Sequence, residues 1–136
     1  MKILKVLTKN RLIGNRGERK AASYLRKNGY KIKERNYVSL DTEIDIIAEN
    51  RDYLVFIEVK TRTEKDGEEA PRPALAVTAE KQRKILNCAK FYSRFERSGK
   101  MLRFDIIEVL IKNGKITNLN HMEGAFNGDS AWVKHK

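Results

Sequence analysis

The chain has 136 residues, with 29 Lys and Arg against 18 Asp and Glu, and carries a formal net charge of +11 at pH 7. This length suits one domain with its own core and excludes two full-sized domains. The positive charge favours a polyanionic partner, with nucleic acid expected ahead of a membrane surface.

Cysteine content and hydropathy predict the compartment. Cys88 is the only cysteine, which excludes an intramolecular disulfide and a cysteine-based zinc site. No apolar run approaches the roughly 18 residues that cross a bilayer, and Met1 to Leu7 is too short for a signal peptide. We therefore expect a cytoplasmic protein without a membrane partner. Residues 1–136 should form a single domain, with 1–9 and 128–136 as peripheral tails.

The first predicted element is a helix from Thr8, a candidate N-cap, to about Asn28, with Gly29 as its C-terminal stop. Glu18 falls in line with the small inner stripe of this helix, which consists of Ala21, Ala22 and Leu25. Glutamate at the edge of a stripe can bend out to water. The alternative is that Glu18 belongs to a functional site. It gains support from Gly14 and Gly17, because each glycine costs about 1 kcal/mol inside a helix and suggests a close approach by another backbone or by a ligand.

Strands and a hairpin follow. Tyr30 to Val38 is predicted to be an edge strand, and Ile44–Ala48 and Tyr53–Lys60 flank a polar cluster at 49–52, which is typical of a β-hairpin. With an even turn, the numbers of facing residues would sum to 103. The turn lacks the glycine that two-residue hairpin loops favour, so an odd loop, which would shift this register, stays open. The facing pairs would be Asp45 with Glu58, Ile47 with Phe56, and Glu43 with Lys60.

The second strand of the hairpin is apolar on both faces, which indicates a buried central strand. Ile44, Ile46, Val55, Ile57 and Val59 are predicted to fill one face. Asp45 and Glu58 share the other face with Ile47, Leu54 and Phe56. Buried carboxylates need a partner, because an unpaired buried charge is costly. Two explanations stay open at this point: a structural ion-pair network, or a hard divalent cation such as Mg²⁺ bound by carboxylate oxygens.

The remaining elements complete an α/β pattern. Residues 62–73 are predicted to be a mobile loop beside the site, and Thr78 to cap a helix of about twenty residues. Its buried stripe would be Ile85, Cys88 or Ala89, Tyr92 and Phe95. Cations in its first turns oppose the helix dipole, a conflict that a bound phosphate would relieve.

After this helix, Met101 to Ile111 is predicted to be a strand, joined through the hairpin signal Asn113-Gly114 to a return strand at Ile116–Leu119. His121 and His135 are predicted to be surface residues. The element order αβββαββ favours one mixed sheet flanked by helices.

An acid on the first helix, then Asp45, then Glu58-Val59-Lys60 resembles the PD-(D/E)xK nuclease pattern on the restriction-endonuclease-like fold. More closely, the chain resembles the YraN family, small bacterial proteins predicted to be nucleases and similar to archaeal Holliday-junction resolvases. The matching residues span nearly all of residues 14–126: Gly17-Glu18, Ala21, Tyr24-Leu25, Gly29-Tyr30, Arg35-Asn36, Glu43-Ile44-Asp45, Phe56 to Lys60, Lys81-Gln82, Arg103-Phe104-Asp105 and Ala125-Phe126. Thr42 departs from the glycine that the family usually has there.

The resemblance implies a metal-dependent DNA endonuclease for repair or recombination, selective for branched DNA and either monomeric or a homodimer. It implies that Glu18, Asp45, Glu58 and the Val59 carbonyl hold Mg²⁺ or Mn²⁺, and that Lys60 acts on the attacking water. Glu43 and Gln82 would support these ligands. The nucleic-acid contacts implied are Arg62, Lys81, Gln82 and Lys84. Two rival hypotheses are a nucleic-acid-binding protein that keeps the fold without turnover and an interaction module.

Overall fold

The computed structural model describes residues 2–39, 41–64 and 77–126, with the side chains of the first helix described from residue 15 onward. The described chain runs α1 (Lys2–Lys27), β1 (Lys31–Val38), β2 (Glu43–Glu49), β3 (Tyr53–Glu64), α2 (Ala79–Glu96), β4 (Met101–Lys112) and β5 (Lys115–Phe126). The strands form one sheet in the order β1-β2-β3-β4-β5, in which only β3 and β4 pair in parallel. The predicted αβββαββ order and mixed sheet of the restriction-endonuclease-like fold are confirmed.

The hairpin between β2 and β3 has the predicted register. Its pairs Ile46 with Ile57, Ile47 with Phe56, Ala48 with Val55 and Glu49 with Leu54 all sum to 103. The turn succeeds without glycine because the Asn50 side chain accepts hydrogen bonds from the backbone N–H groups of Asp52 and Tyr53. The paired positions end at Ile46 and Ile57, where β2 leaves β3. The predicted pairs Asp45 with Glu58 and Glu43 with Lys60 lie beyond this point and are not formed.

The first helix starts earlier than predicted. It begins at Lys2 instead of being capped at Thr8, so residues 2–9 belong to α1 and are not a tail. Its other end agrees with the sequence, because Gly29 has a φ of 87° just past the last helical residue and Tyr30 donates its N–H to the Leu25 carbonyl.

The predicted cap of α2 is confirmed, whereas the prediction that Phe95 belongs to its buried stripe is wrong. Thr78 Oγ1 accepts the backbone N–H of Lys81 at 3.1 Å. The buried residues of α2 are Ile85, Leu86, Cys88, Ala89 and Tyr92. Phe95 is instead 78% exposed, because the helix continues its inner face from Tyr92 to Glu96, whose carboxylate accepts the Tyr92 hydroxyl.

Each helix covers one face of the sheet. The α1 side holds Ala21, Ala22, Leu25, Tyr30, Ile46, Ala48, Val55, Ile57, Ile107 and Val109. The α2 side holds Ile44, Ile47, Leu54, Phe56, Phe104 and the stripe of α2. The prediction that Ile44 shares a face with Ile46 is therefore wrong. Strict alternation therefore fails between Ile44 and Ile46, where the β2–β3 ladder ends, and in β1 Asn36, between the partners of Ile44 and Ile46, has a left-handed φ of 53°.

The strand ends also differ from the sequence prediction. Strand β3 continues to Glu64, so residues 62–64 are strand and not loop, while the rest of the predicted loop, residues 65–73, lies outside the described residues. Strand β5 extends to Phe126, well past the predicted end at Leu119. His135 and residues 128–136 also lie outside the described part. No helix in the described chain is both long and apolar enough to cross a membrane.

Candidate metal and nucleic-acid site

Asp45 sits where the ladder between β2 and β3 ends. Its Oδ2 accepts the backbone N–H of Val59 at 2.8 Å, so the carboxylate takes the place that a strand carbonyl would have in a continued ladder. Burial, together with the nearby Glu58 and Glu18 carboxylates, raises the pKa of Asp45 to about 7, although the Val59 N–H and Lys81 act in the opposite direction. The carboxyl of Asp45 is thus held in surroundings that disfavour its charged form.

Glu58 is buried on the α2 side of β3 and meets two ammonium groups. Lys81 Nζ lies 2.6 Å and Lys60 Nζ 3.3 Å from the same oxygen, Oε1. Lys60 reaches it because residues two apart on a strand share a face, whereas Lys81 reaches it from the first turn of α2. The other predicted catalytic residue on β3, Lys60, is therefore placed directly beside the predicted metal ligand.

Glu18 approaches from α1. A Cβ added at the preceding residue, Gly17, would lie 1.9 Å from Thr61 Oγ1 on β3, so only glycine allows the helix to cross the strand this closely. The predicted close approach at Gly17 is present, but the group that approaches is the Thr61 side chain and not the predicted backbone or ligand. This crossing brings Glu18 to the acidic end of the hairpin, where Arg35 NH2 lies 3.8 Å from its Oε2.

Glu18 is incompletely satisfied. Its Oε2 is buried and finds no hydrogen-bond partner among the described residues. Burial raises the pKa of Glu18, and Glu43 and Glu58 raise it further, although Arg35 and Asn36 act in the opposite direction. Glu18, Asp45 and Glu58, which we call the acidic cluster, therefore repel one another at a partly buried point of the sheet.

The donor set of the acidic cluster suits a hard divalent cation, because such ions prefer carboxylate oxygens and Glu18 offers a buried oxygen that accepts no hydrogen bond in the described chain. In the described part of the chain, however, no three Asp, Glu, His or Cys side chains lie close enough together to hold a metal. Joint ligation by Glu18, Asp45, Glu58 and the Val59 carbonyl thus stays a prediction. It requires the carboxylates to turn toward one another and Lys81 to leave Glu58.

The other predicted site residues make contacts outside the acidic cluster or act on it only through their charge. Glu43 is exposed and acts on Glu18 through its charge, whereas the Gln82 amide donates to the Val77 carbonyl at 3.1 Å and so serves the start of α2. The two remaining predicted nucleic-acid contacts are paired with acids: Arg62 Nε lies 3.3 Å from Glu108 Oε2, and Lys84 Nζ 3.6 Å from Glu80 Oε1.

A second buried carboxylate was not recognised in the sequence. Asp105 is fully buried, and its two oxygens accept both Nε and NH2 of Arg103, at 2.9 and 2.8 Å, and the N–H of Gly124 at 3.0 Å. His121 Nε2 lies 2.7 Å from Asp105 Oδ2, and its Nδ1 lies 2.9 Å from the Tyr24 hydroxyl. The prediction that His121 is a surface residue is wrong, since its side chain is only 6% exposed.

We call Asp105, Arg103, His121, Tyr24 and Tyr30 the aspartate network. The Tyr30 hydroxyl joins it by accepting from Arg103 NH2 at 2.6 Å. Burial alone would raise the pKa of Asp105, but the hydrogen bonds from His121, Arg103 and Gly124 outweigh it and lower that pKa. The network ties α1 to β4 and β5. Its signal in the sequence was the set of family motifs without an assigned role, Tyr24, Tyr30 and Arg103-Phe104-Asp105.

Comparison with known proteins agrees with this organisation. The family described as "Uncharacterised protein family UPF0102" matches residues 17–109, a range that includes the acidic cluster and Arg103 with Asp105. A UPF0102 protein of Geobacter metallireducens is 40% identical over 118 residues, covering 86% of this chain and 93% of the relative. Another, from Caldanaerobacter subterraneus, is 43% identical over 119 residues, covering 84% and 93%.

Proposed function

For this chain, which belongs to the UPF0102 family, we propose that the acidic cluster and Lys60 form the active site of a divalent-metal-dependent endonuclease that hydrolyses DNA phosphodiester bonds. The observation that supports this most strongly is the repulsion among three carboxylates at a partly buried point, with Oε2 of Glu18 lacking a hydrogen bond and the Lys60 ammonium alongside. A bound divalent cation would relieve this repulsion. The charge of +11 supports a nucleic acid as the substrate.

In this proposal Glu18, Asp45 and Glu58 hold Mg²⁺ or Mn²⁺, with the Val59 carbonyl as a further ligand. When bound, such an ion lowers the pKa of water and polarises the phosphoryl oxygen, contributions worth several kcal/mol. The hydrogen bond from the Val59 N–H fixes the orientation of Asp45. The Lys60 ammonium, held 3.3 Å from Glu58 Oε1, is available to orient the attacking water and to offset the charge on the phosphate.

The substrate proposed first is branched DNA, because the chain resembles a family compared with junction resolvases. Arg62, Lys81 and Lys84 are proposed to contact the phosphate backbone. Each is paired with a carboxylate in this structure, so phosphate would have to compete for these cations. Binding that depends on lysine and arginine contacts weakens steeply with salt, because neutralised phosphates release their counterions.

A second candidate is a nucleic-acid-binding protein that keeps the fold without turnover. It is favoured by the two ammonium groups already on Glu58 and by the lack of an assembled three-ligand group among the described residues. The same surface would then recognise DNA with tethered cations in place of a metal.

The deciding experiment incubates the protein with end-labelled four-way junction, flap, single-stranded and duplex DNA, in Mg²⁺, in Mn²⁺ and in EDTA. We expect metal-dependent products, which Asp45→Asn abolishes without weakening DNA affinity, because the substitution removes a negative charge beside the phosphate. Lys60→Ala should also lose cleavage. Asp52→Asn, at an exposed turn residue, is the matched control and should cleave like the parent. Metal-independent products, or an active Asp45→Asn protein, would contradict the mechanism, and binding without cleavage would favour the second candidate.

A further inference from the structure

The Lys81 ammonium occupies an unusual position for a cation in the first turn of a helix. Its backbone N–H is fixed by Thr78 Oγ1, and its Nζ lies 2.6 Å from Glu58 Oε1. Cations near a helix N-terminus oppose the helix dipole. The buried carboxylate of Glu58 compensates for that unfavourable placement.

Neighbouring cations on α2 behave differently. Lys84 pairs with Glu80 one turn away on its own helix, at 3.6 Å, and Arg83 is exposed. In the part of the chain that the structure describes, Lys81 is thus the cation of α2 that reaches the acidic cluster. Its position beside Glu58 does not follow from the helix dipole or from pairing within α2.

Positive charges that approach the same carboxylate oxygen repel one another, most strongly at a partly buried point where screening is weak, and a divalent cation added to two ammonium groups increases that repulsion. Glu58 Oε1 already has Lys81 at 2.6 Å and Lys60 at 3.3 Å. A divalent cation that used this oxygen would meet the Lys81 ammonium directly. Lys60 lies farther away and on the same strand as Glu58, so Lys81 is the group that can move.

Resting on the proposed function, we propose that Lys81 is a tethered counter-ion that holds the place of the divalent cation at Glu58 and leaves it when the metal binds. Lys81 is then a positioning residue that sets metal affinity. The acidic cluster keeps a positive partner in both states: the ammonium without metal, and the metal ion when it is loaded. The exchange forms and breaks only ionic contacts.

The first test is titration calorimetry with MnCl₂ on the metal-free parent and on Lys81→Met, Lys81→Arg and Arg83→Met. Removing the competing charge should tighten Mn²⁺ binding at least about tenfold in Lys81→Met. Lys81→Arg keeps the cation, and Arg83→Met removes a charge from the same turn without touching Glu58, so both should stay within about threefold of the parent. Far-ultraviolet circular dichroism checks that each variant is folded.

The second test needs no substitution. The reactivity of each lysine toward reductive methylation is measured by mass spectrometry in EDTA and in saturating MnCl₂. Lys81 should be protected in EDTA and become several-fold more reactive with Mn²⁺, whereas Lys84, which pairs with Glu80, should not change.

The outcomes separate this inference from the proposed function. A parent that binds Mn²⁺ while Lys81→Met binds it no more tightly, with unchanged Lys81 reactivity, would overturn the exchange and leave the metal site standing. Absence of Mn²⁺ binding in both proteins would overturn the metal site and the exchange together. Tighter binding in Lys81→Met with the two controls unchanged supports both.

Discussion

The acidic cluster and the aspartate network both withdraw an aspartate from solvent, but the pKa of the aspartate is raised in the first and lowered in the second. Asp105 is fully buried, yet hydrogen bonds from Arg103, His121 and Gly124 overcome the effect of burial and lower its pKa. Asp45 accepts the Val59 N–H but faces Glu58 and Glu18, and its pKa rises to about 7. Burial therefore does not decide the charge state of a carboxylate in this fold. The donors and charges around it do.

We interpret this difference as a structural role for the aspartate network and the proposed ligand-binding role for the acidic cluster. All acceptor positions of the Asp105 carboxylate are used, so none is left to bind a ligand. The aspartate network therefore acts as a structural connection between α1 and the β4–β5 hairpin. The acidic cluster keeps unfavourable interactions that folding alone would not select. Strained electrostatics of this kind are typical of sites that bind a cation or substrate.

The largest expected effect is on the aspartate network. Asp105→Asn leaves Arg103 buried without its carboxylate, and removing one partner of a buried ion pair costs about 3–5 kcal/mol. Urea unfolding followed by circular dichroism measures the loss. Asp52→Asn, at an exposed turn, is the matched control and should change stability by less than about 0.5 kcal/mol. An Asp105→Asn protein as stable as the parent would show that the network does not stabilise the packing of α1 on β4 and β5.

The same substitution in the acidic cluster should act in the opposite direction. Asp45→Asn removes a buried charge that its neighbours disfavour, while the amide oxygen can still accept the Val59 N–H. We expect stabilisation of at most about 4 kcal/mol at pH 8 in EDTA, since a pKa of about 7 lies about three units above the ordinary value of 3.8 and each unit corresponds to about 1.4 kcal/mol. A destabilised Asp45→Asn protein under these conditions would mean that Asp45 is satisfied like Asp105.

The two clusters should also differ in how stability depends on pH. The folded pKa of Asp45 is raised, so the folded state binds more protons between about pH 4 and pH 7, and stability falls as pH rises through that window. The folded pKa of Asp105 is lowered, so its contribution is present above about pH 4 and is lost as pH falls further. In EDTA, the stability gained by Asp45→Asn should therefore grow from pH 4 to pH 8. A gain that is independent of pH would contradict the raised pKa.

The smallest effect concerns the helix that both clusters share. Gly17→Ala places a methyl group against Thr61, which overpacks the crossing at an expected cost of about 1–2 kcal/mol despite the helix propensity of alanine. Removing the opposing hydroxyl in the Thr61→Ala background should reduce this cost. A double-mutant cycle by urea unfolding measures the coupling. Additive effects would show that the two residues do not meet.

Much of the fold was predictable because it follows from local periodicity. The β2–β3 register, the Thr78 cap and the Gly29 stop each depend on residues close in sequence, and all three are confirmed. The face of Ile44 was not predictable, because the alternation of β2 fails just beyond Ile46, where its pairing with β3 ends. The position of Phe95 depends on where α2 runs past the sheet, which helical spacing alone cannot give.

The candidate site shows the same limit. The order of Glu18, Asp45, Glu58 and Lys60 along the chain indicated a site, and the structure places Lys60 beside Glu58 and the three carboxylates within electrostatic reach of one another. The pairing of Lys81 with Glu58 joins residues 23 apart through the packing of α2 on the sheet, so no spacing rule contains it. His121 reaches Asp105 because β5 bulges near Gly124, an irregularity without a clear sequence signal.

The most direct test of the central claim, that the acidic cluster is kept unsatisfied to bind a divalent cation, is urea unfolding of the parent and Asp45→Asn in EDTA and in MnCl₂. A ligand that binds only the folded state stabilises it. Once the ligand concentration exceeds its dissociation constant, the stabilisation grows with the logarithm of the ratio of the two. The account predicts that Mn²⁺ raises the stability of the parent and leaves Asp45→Asn unchanged. Equal stabilisation of both proteins, or of neither, would contradict it.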